Sequence, residues 1–249
     1  MPSVAASEKT VYFISGANRG IGFGLVKSLA SRPNVLIFAT ARNPSKADAL
    51  NSLAKETGNI EVVKLESVSE EDAHAAAKLV EEKVGRVDVL IANAGIADAY
   101  GRVETHSLAE YRRHYEVNVF GPLLLFSAFK NLLFKSNEPK YIAVSTLAAS
   151  FALNVPMENA PYAASKAALN MVVTKIAREN KDAKLNAFAL SPGWVQTDMG
   201  NAGALANGLE EAPVKLEDSV AGIIKLADES KFESHSGKFW DFTGEPMEW

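Results

Sequence analysis

The chain has 249 residues, 47% of them hydrophobic, a formal net charge of −4 and no cysteine. That balance gives no electrostatic ground for binding nucleic acid or an anionic membrane, and it excludes disulfides and thiol catalysis. The length suits one large domain, and the opening "MPSVAASEKT" lacks the apolar core of a secretory signal, so a soluble cytoplasmic protein is expected.

In chain order, the first β-rich run is "TVYFIS" (10–15), followed at once by "SGANRGIG" (15–22) and a helical pattern over 20–31. "NVLIFATA" (34–41) and "IEVVKL" (60–65) are the next strands, with helices over 45–57 and 69–84 after them. Ser69, with Asp72 three residues on, has the spacing of a helix start. "VDVLIAN" (87–93) precedes a long helical stretch over 107–134, and "KYIAVS" (140–145) precedes a helix over 161–180. "AKLNAFAL" (183–190) comes before a helix over 217–229, and "GKFWDF" (237–242) is a weaker last strand. The longest apolar stretch, "VFGPLLLFSAF" (119–129), is too short to span a bilayer.

The early strand runs are nearly continuously apolar, as parallel strands covered on both faces are. Alternation of strand and helix predicts an α/β fold: a Rossmann-type doubly wound parallel sheet of about seven strands flanked by helices. It occupies a single domain over 1–249, with 1–9 as an N-terminal tail. Ligands of such sheets bind beyond the carboxyl ends of the strands.

Gly16, Gly20 and Gly22 follow the first strand and open the first helix, spaced G-x-x-x-G-x-G. Glycines there permit a tight turn and close approach of backbone to a diphosphate at a positive helix N-terminus, although an ordinary strand-to-helix turn also favours glycine. An acidic residue that would hold the ribose hydroxyls of NAD is expected at the end of the second strand, where Thr40 stands instead. Arg42 and Lys46 follow it, and Arg19 lies within the glycine loop. Cations without a facing carboxylate suit a 2′-phosphate, so NADP(H) is the expected cofactor.

Tyr162 and Lys166 in "PYAASKAALN" (161–170) stand one turn apart on the same helix face. A free tyrosine titrates near 10, too high for easy proton transfer at neutral pH, and a neighbouring ammonium is expected to lower that value. A tyrosine so tuned can protonate a ketone oxygen. Ser145, at the end of its strand, offers a hydroxyl dipole to hold the same oxygen. "NAG" (93–95) leaves a gap of small residues at the cofactor level, and Asn118 sits in a helical pattern that its propensity disfavours.

Taken in order, these motifs resemble the short-chain dehydrogenase/reductase family over essentially the whole chain. "SGANRGIG" is similar to its cofactor loop, with Ser15 in place of Thr, and "NAG", Asn118, Ser145, Tyr162 and Lys166, and "SPGWVQTDM" (191–199) match its later elements. The resemblance implies that Tyr162 donates the proton while Lys166 also binds the nicotinamide ribose. Ser145 would orient the carbonyl, Asn118 would help hold a water in a proton relay, and Arg19 would favour NADP(H). It also implies a cofactor contact set of Gly16, Asn18, Arg19, Gly20, Ile21, Gly22, Arg42, Asn93, Ala94, Gly95, Tyr162, Lys166, Pro192, Gly193, Val195 and Thr197. The chain departs from the family's Asp after the third strand, offering Glu66 and Ser67, with Val68 left to line the adenine pocket. "VQTDMG" and Trp249 resemble fungal ketoreductases of the norsolorinic acid type.

Apolar residues border the expected site, with Ser145, Leu147, Phe151, Tyr162, Trp194 and Met199 as candidate substrate contacts. They favour a bulky hydrophobic or aromatic carbonyl compound. The stretch 194–213 is expected to form a substrate lid. His74, His106, His114 and His235 lack metal-site spacing, so no metal is expected. Asp198 reads as a helix cap. The apolar stretch 119–134 points to a homodimer or homotetramer. A nucleotide-sugar epimerase and a catalytically silent NADP-binding redox sensor remain as alternative readings.

Overall fold

The computed structural model describes residues 9–249, so the expected tail over 1–9 lies outside the described residues but for Lys9. Seven strands run parallel: β1 (Thr10–Ile14), β2 (Val35–Ala41), β3 (Ile60–Lys64), β4 (Val89–Ala92), β5 (Lys140–Val144), β6 (Asn186–Ser191) and β7 (Phe239–Asp241). An eighth, β8 (Pro246–Met247), pairs antiparallel with β7, and the spatial order is β3-β2-β1-β4-β5-β6-β7-β8. β8 exceeds the expected count because two residues beginning with proline carry no strand pattern; it exists only because the chain turns back at Gly244, where φ is +94°.

The alternation of side chains along each strand divides the core into two layers. Phe13, Phe38, Leu90, Tyr141 and Ala143 point to one side, where α3 (Glu70–Lys83), α5 (Gly121–Leu133) and α6 (Ala160–Glu179) cover them. Ile14, Ile37, Ile91, Ile142 and Leu190 point to the other, beneath α1 (Gly20–Ala30), α2 (Asp48–Thr57) and α8 (Leu216–Glu229). Both faces are therefore apolar, which is why these strands read as continuous hydrophobic runs.

The long helical stretch expected over 107–134 is interrupted. α4 (Leu108–Tyr115) starts on a capping box formed by Ser107 and Glu110, passes into a π turn over Glu116–Phe120, and resumes as α5. Asn118 lies in the π turn, a distortion that recurs at functional sites. The stretch 194–213 contains α7 (Asp198–Ala206), and Thr197 rather than Asp198 caps it, its hydroxyl accepting from Gly200 N at 3.1 Å. A four-residue helix, α9 (Phe232–His235), leads into β7. Among the described residues no helix is long and apolar enough to cross a membrane, and no group of His, Asp or Glu residues is arranged to hold a metal ion.

The spatial order reverses between β1 and β4. A crevice must open there, because successive connections leave the sheet on opposite faces.

Candidate active site

A cavity of about 810 Å³ fills that crevice, along the carboxyl ends of the strands. Its floor is the glycine loop. Gly16 has φ of +65° and Gly20 of +56°, left-handed conformations that only glycine adopts without strain. A Cβ on Gly16 would lie 2.9 Å from Ala94 Cα, and one on Gly22 would lie 2.3 Å from the Gly16 carbonyl oxygen. Gly22 lines no part of the cavity; it lets the loop fold back on itself behind the cavity.

Small polar groups bolt this loop to the neighbouring strands. Thr40, in the position expected for an acid, accepts from Gly16 N through Oγ1 at 3.1 Å. Ser15 Oγ accepts from both Asn93 N and Ala94 N at 3.0 Å, and Asn93 Nδ2 donates to the carbonyls of Ser15 and Gly16. The first turn of α1 carries no acidic residue and no side-chain cap, so its N–H groups are open to an anion. This loop geometry fits a nucleotide diphosphate, since any larger side chain would fill the cradle.

Arg19 and Arg42 line the same end of the cavity. Each has a carboxylate within reach: Asp198 lies 3.9 Å from Arg19, and Glu66 lies 3.7 Å from Arg42. Both guanidinium groups are mostly exposed, so these pairs contribute little to stability and leave the cations available. Leu65, Glu66 and Ser67 border the cavity, whereas Val68, expected to line the adenine end, does not.

At the opposite end, β5 delivers Ser145 and α6 delivers Tyr162 and Lys166 to one wall. Lys166 is buried beneath Gly95, where a Cβ would lie 3.4 Å from its Nζ, and it donates to the Val144 carbonyl at 2.7 Å. Burial pulls its ammonium down to about 8. Burial also pushes the Tyr162 phenol up to about 12, against a smaller downward pull from its hydrogen bond with Thr146. This corrects the expectation that the lysine lowers the tyrosine: within the folded chain, loss of hydration is the largest effect on each group.

Asn118, fully buried, does not line the cavity. Its Oδ1 accepts from Ile96 N at 2.9 Å, while Nδ2 donates to the Ile96 carbonyl and to Ser165 Oγ. Ser165 in turn donates to the Tyr162 carbonyl at 2.7 Å. The π turn therefore ties the segment after β4 to α6, so that Asn118 acts on the site as a clamp.

Leu147, Trp194 and Met199 line the cavity, together with Val155, Met157 and Leu209. Phe151 does not: it is 85% exposed on the turn after β5 and lines no part of the cavity, so it is withdrawn as a substrate contact. Of the remaining expected cofactor contacts, all but Gly22 border the cavity. Trp194 Nε1 donates to the Gly200 carbonyl at 2.8 Å, and a Cβ on Gly203 would lie 3.4 Å from Tyr100 Oη and 3.6 Å from Trp194 Nε1. Together with the bridge between Val195 and Val214, these contacts hold α7 against the cavity.

Tyr100 and Thr146 escaped the sequence reading. Tyr100 lies on an irregular segment with no periodicity to place it, and its hydroxyl donates to the Ala97 carbonyl at 2.7 Å. Thr146 was readable as a second hydroxyl directly after Ser145.

Residues 10–206 match the family model described as short chain dehydrogenase. Norsolorinic acid ketoreductase of Aspergillus parasiticus is 38% identical over 251 residues, which cover 97% of this chain and 92% of that protein. The crystal structure of NADPH-bound carbonyl reductase from chicken fatty liver is similar with a TM-score of 0.88 and 32% identity, covering 97% of this chain and 100% of that one. Carbonyl reductase Sniffer of D. melanogaster gives a TM-score of 0.89 at 28% identity with the same coverage.

Proposed function

Because the chain belongs to the short-chain dehydrogenase family, we propose that it is an NADPH-dependent ketoreductase acting on bulky hydrophobic or aromatic ketones. It is an oxidoreductase of carbonyl and hydroxyl groups, and its family uses nicotinamide cofactors. The observation that carries the finer reading is the sharing of one cavity by the glycine loop, Arg19, Arg42, Ser145, Tyr162 and Lys166.

A nicotinamide nucleotide held there supplies hydride. The glycine loop and the open first turn of α1 would hold its diphosphate, and Arg19 and Arg42 its 2′-phosphate. Thr40 supports this choice, because no carboxylate repels a phosphate at that position. Tyr162 gives its hydroxyl proton to the ketone oxygen, Ser145 orients that oxygen, and Lys166 would hold the nicotinamide ribose. With Tyr162 at about 12, the phenol is fully protonated at neutral pH, as a proton donor must be.

The apolar wall of Leu147, Val155, Met157, Trp194, Met199 and Leu209 supports a large, weakly polar substrate. α7 and its flanks, 194–213, would act as the lid. Exposed Phe120, Leu123 and Met171 support association of two or four copies through α5 and α6, which light scattering tests directly.

The reading is tested by following oxidation of NADPH, with NADH alongside, against aromatic, aliphatic and polycyclic ketones. NADPH-selective turnover of the aromatic and polycyclic members is the expected result. Tight NADPH binding without turnover of any ketone would instead favour the redox-sensor reading.

A further inference from the structure

Ser145 and Asn170 meet behind the cavity in a contact that the mechanism above does not use. The Ser145 hydroxyl donates to Asn170 Oδ1 at 2.6 Å, and both residues are buried. Asn170 Nδ2 is also buried and finds no partner among the described residues. An interior N–H without an acceptor is costly, because it has given up its hydration for no bond in return. Turning the amide over about its last torsion removes that cost, because Nδ2 then donates to Ser145 Oγ. The carbonyl oxygen left behind is more readily tolerated unpaired.

The two arrangements differ at the hydroxyl. In the first, its proton is directed at Asn170, and Ser145 offers the cavity only lone pairs. In the second, the proton is free to point into the cavity, toward a ketone oxygen beside Tyr162.

We propose that Asn170 is a positioning residue whose amide, turned so that Nδ2 faces Ser145 Oγ, leaves Ser145 as a hydrogen-bond donor to the oxygen being reduced. The inference rests on the reading of Ser145 given above. Hydride arrival gathers negative charge on that oxygen, and one donor aimed at such charge is worth about 10²–10³ in rate. A leucine at 170 has neither donor nor acceptor, and an ionised aspartate only accepts.

The test compares Asn170→Leu, Asn170→Asp, Ser145→Ala and the Ser145→Ala/Asn170→Leu double variant on an aromatic ketone with NADPH. Turnover, NADPH affinity by nicotinamide fluorescence, and melting temperature are the readouts. Asn170→Leu should lower kcat at least threefold with NADPH affinity within twofold, and should cost nothing further in the Ser145→Ala background. Asn170→Asp should acquire a pH limb between about pH 5 and 9 that the wild type lacks. Its protonated carboxyl donates as the amide does, whereas its carboxylate locks the Ser145 hydroxyl and lowers kcat at least tenfold. Tyr162 and Lys166 on the same helix, and Tyr100 opposite, titrate in both proteins, so a limb confined to the variant belongs to residue 170.

An equal loss from Asn170→Leu in both backgrounds, or parallel pH profiles for Asn170→Asp and wild type, would overturn the inference. Should Asn170→Asp fail to fold, the double cycle with leucine decides alone. Asn170 variants at the wild-type rate beside an impaired Ser145→Ala would overturn this inference only. A Ser145→Ala variant at the wild-type rate would overturn both it and the assignment of Ser145.

Discussion

The Lys166 ammonium donates to the Val144 carbonyl at 2.7 Å, so α6, one turn beyond Tyr162, is pinned to the end of the central strand β5. That group is held down to about 8, below its ordinary 10.5, by burial. Below about 8 both folded and unfolded chains carry the proton, and the folded state bears the full cost of a buried charge. Between about 8 and 10.5 the folded state releases the proton while the unfolded state retains it, so stability rises with pH. Lys166→Met should therefore stabilise the protein near pH 7, by roughly 1–3 kcal/mol once the lost hydrogen bond is subtracted. The gain should shrink as the pH climbs toward 10.5, as thermal denaturation at a series of pH values would reveal. A variant less stable than wild type at pH 7 would contradict it.

Tyr162→Phe keeps the ring and removes the proton. Turnover should fall by about 10²–10⁴, while NADPH affinity changes less than about twofold. Steady-state assays beside fluorescence titration separate the two effects, and retained turnover would mean that the proton comes from another group.

Arg42 is 80% exposed and only loosely paired with Glu66, so it is free to meet a phosphate. Arg42→Asp should weaken NADPH by roughly tenfold to a hundredfold, as expected for a lost charge-assisted contact, and NADH by much less. Equal losses for both nucleotides, measured by titration, would remove Arg42 from the 2′-phosphate site.

Gly22→Ala drives a methyl group to 2.3 Å from the Gly16 carbonyl and 2.7 Å from Asn93 Nδ2. Neither neighbour is the free end of a flexible chain, so the loop must shift. The expected result is a loss of about 1–3 kcal/mol in stability and of detectable nucleotide binding, read by denaturation and titration.

Asn118→Leu removes both bonds to Ile96 and the bond to Ser165. It should cost about 1–3 kcal/mol in stability and slow turnover without changing NADPH selectivity. Unchanged stability in urea denaturation would show that the clamp is dispensable.

The strands and helices were legible because both layers of the core require apolar side chains on every inner strand. Gly16 and Gly20 were legible because a positive φ has few occupants other than glycine. β8 was not, since its two residues pair only after the turn that precedes them has formed. Asn170 stood in plain view eight residues after Tyr162, a spacing that returns to the same helix face. Nothing in that spacing says which strand end the face will meet.

The sequence by itself determined which groups share a helix face or a strand end, because local geometry fixes those relations within a few residues. It therefore determined the pairing of Tyr162 with Lys166 and the place of the glycine loop after β1. Tertiary structure alone decided how those groups titrate and what they bond. Packing buried Lys166 against Val144 and closed the site around Tyr162, so desolvation, which depends on every neighbour at once, set both values. The same packing exposed Phe151 and brought Asn170 to Ser145.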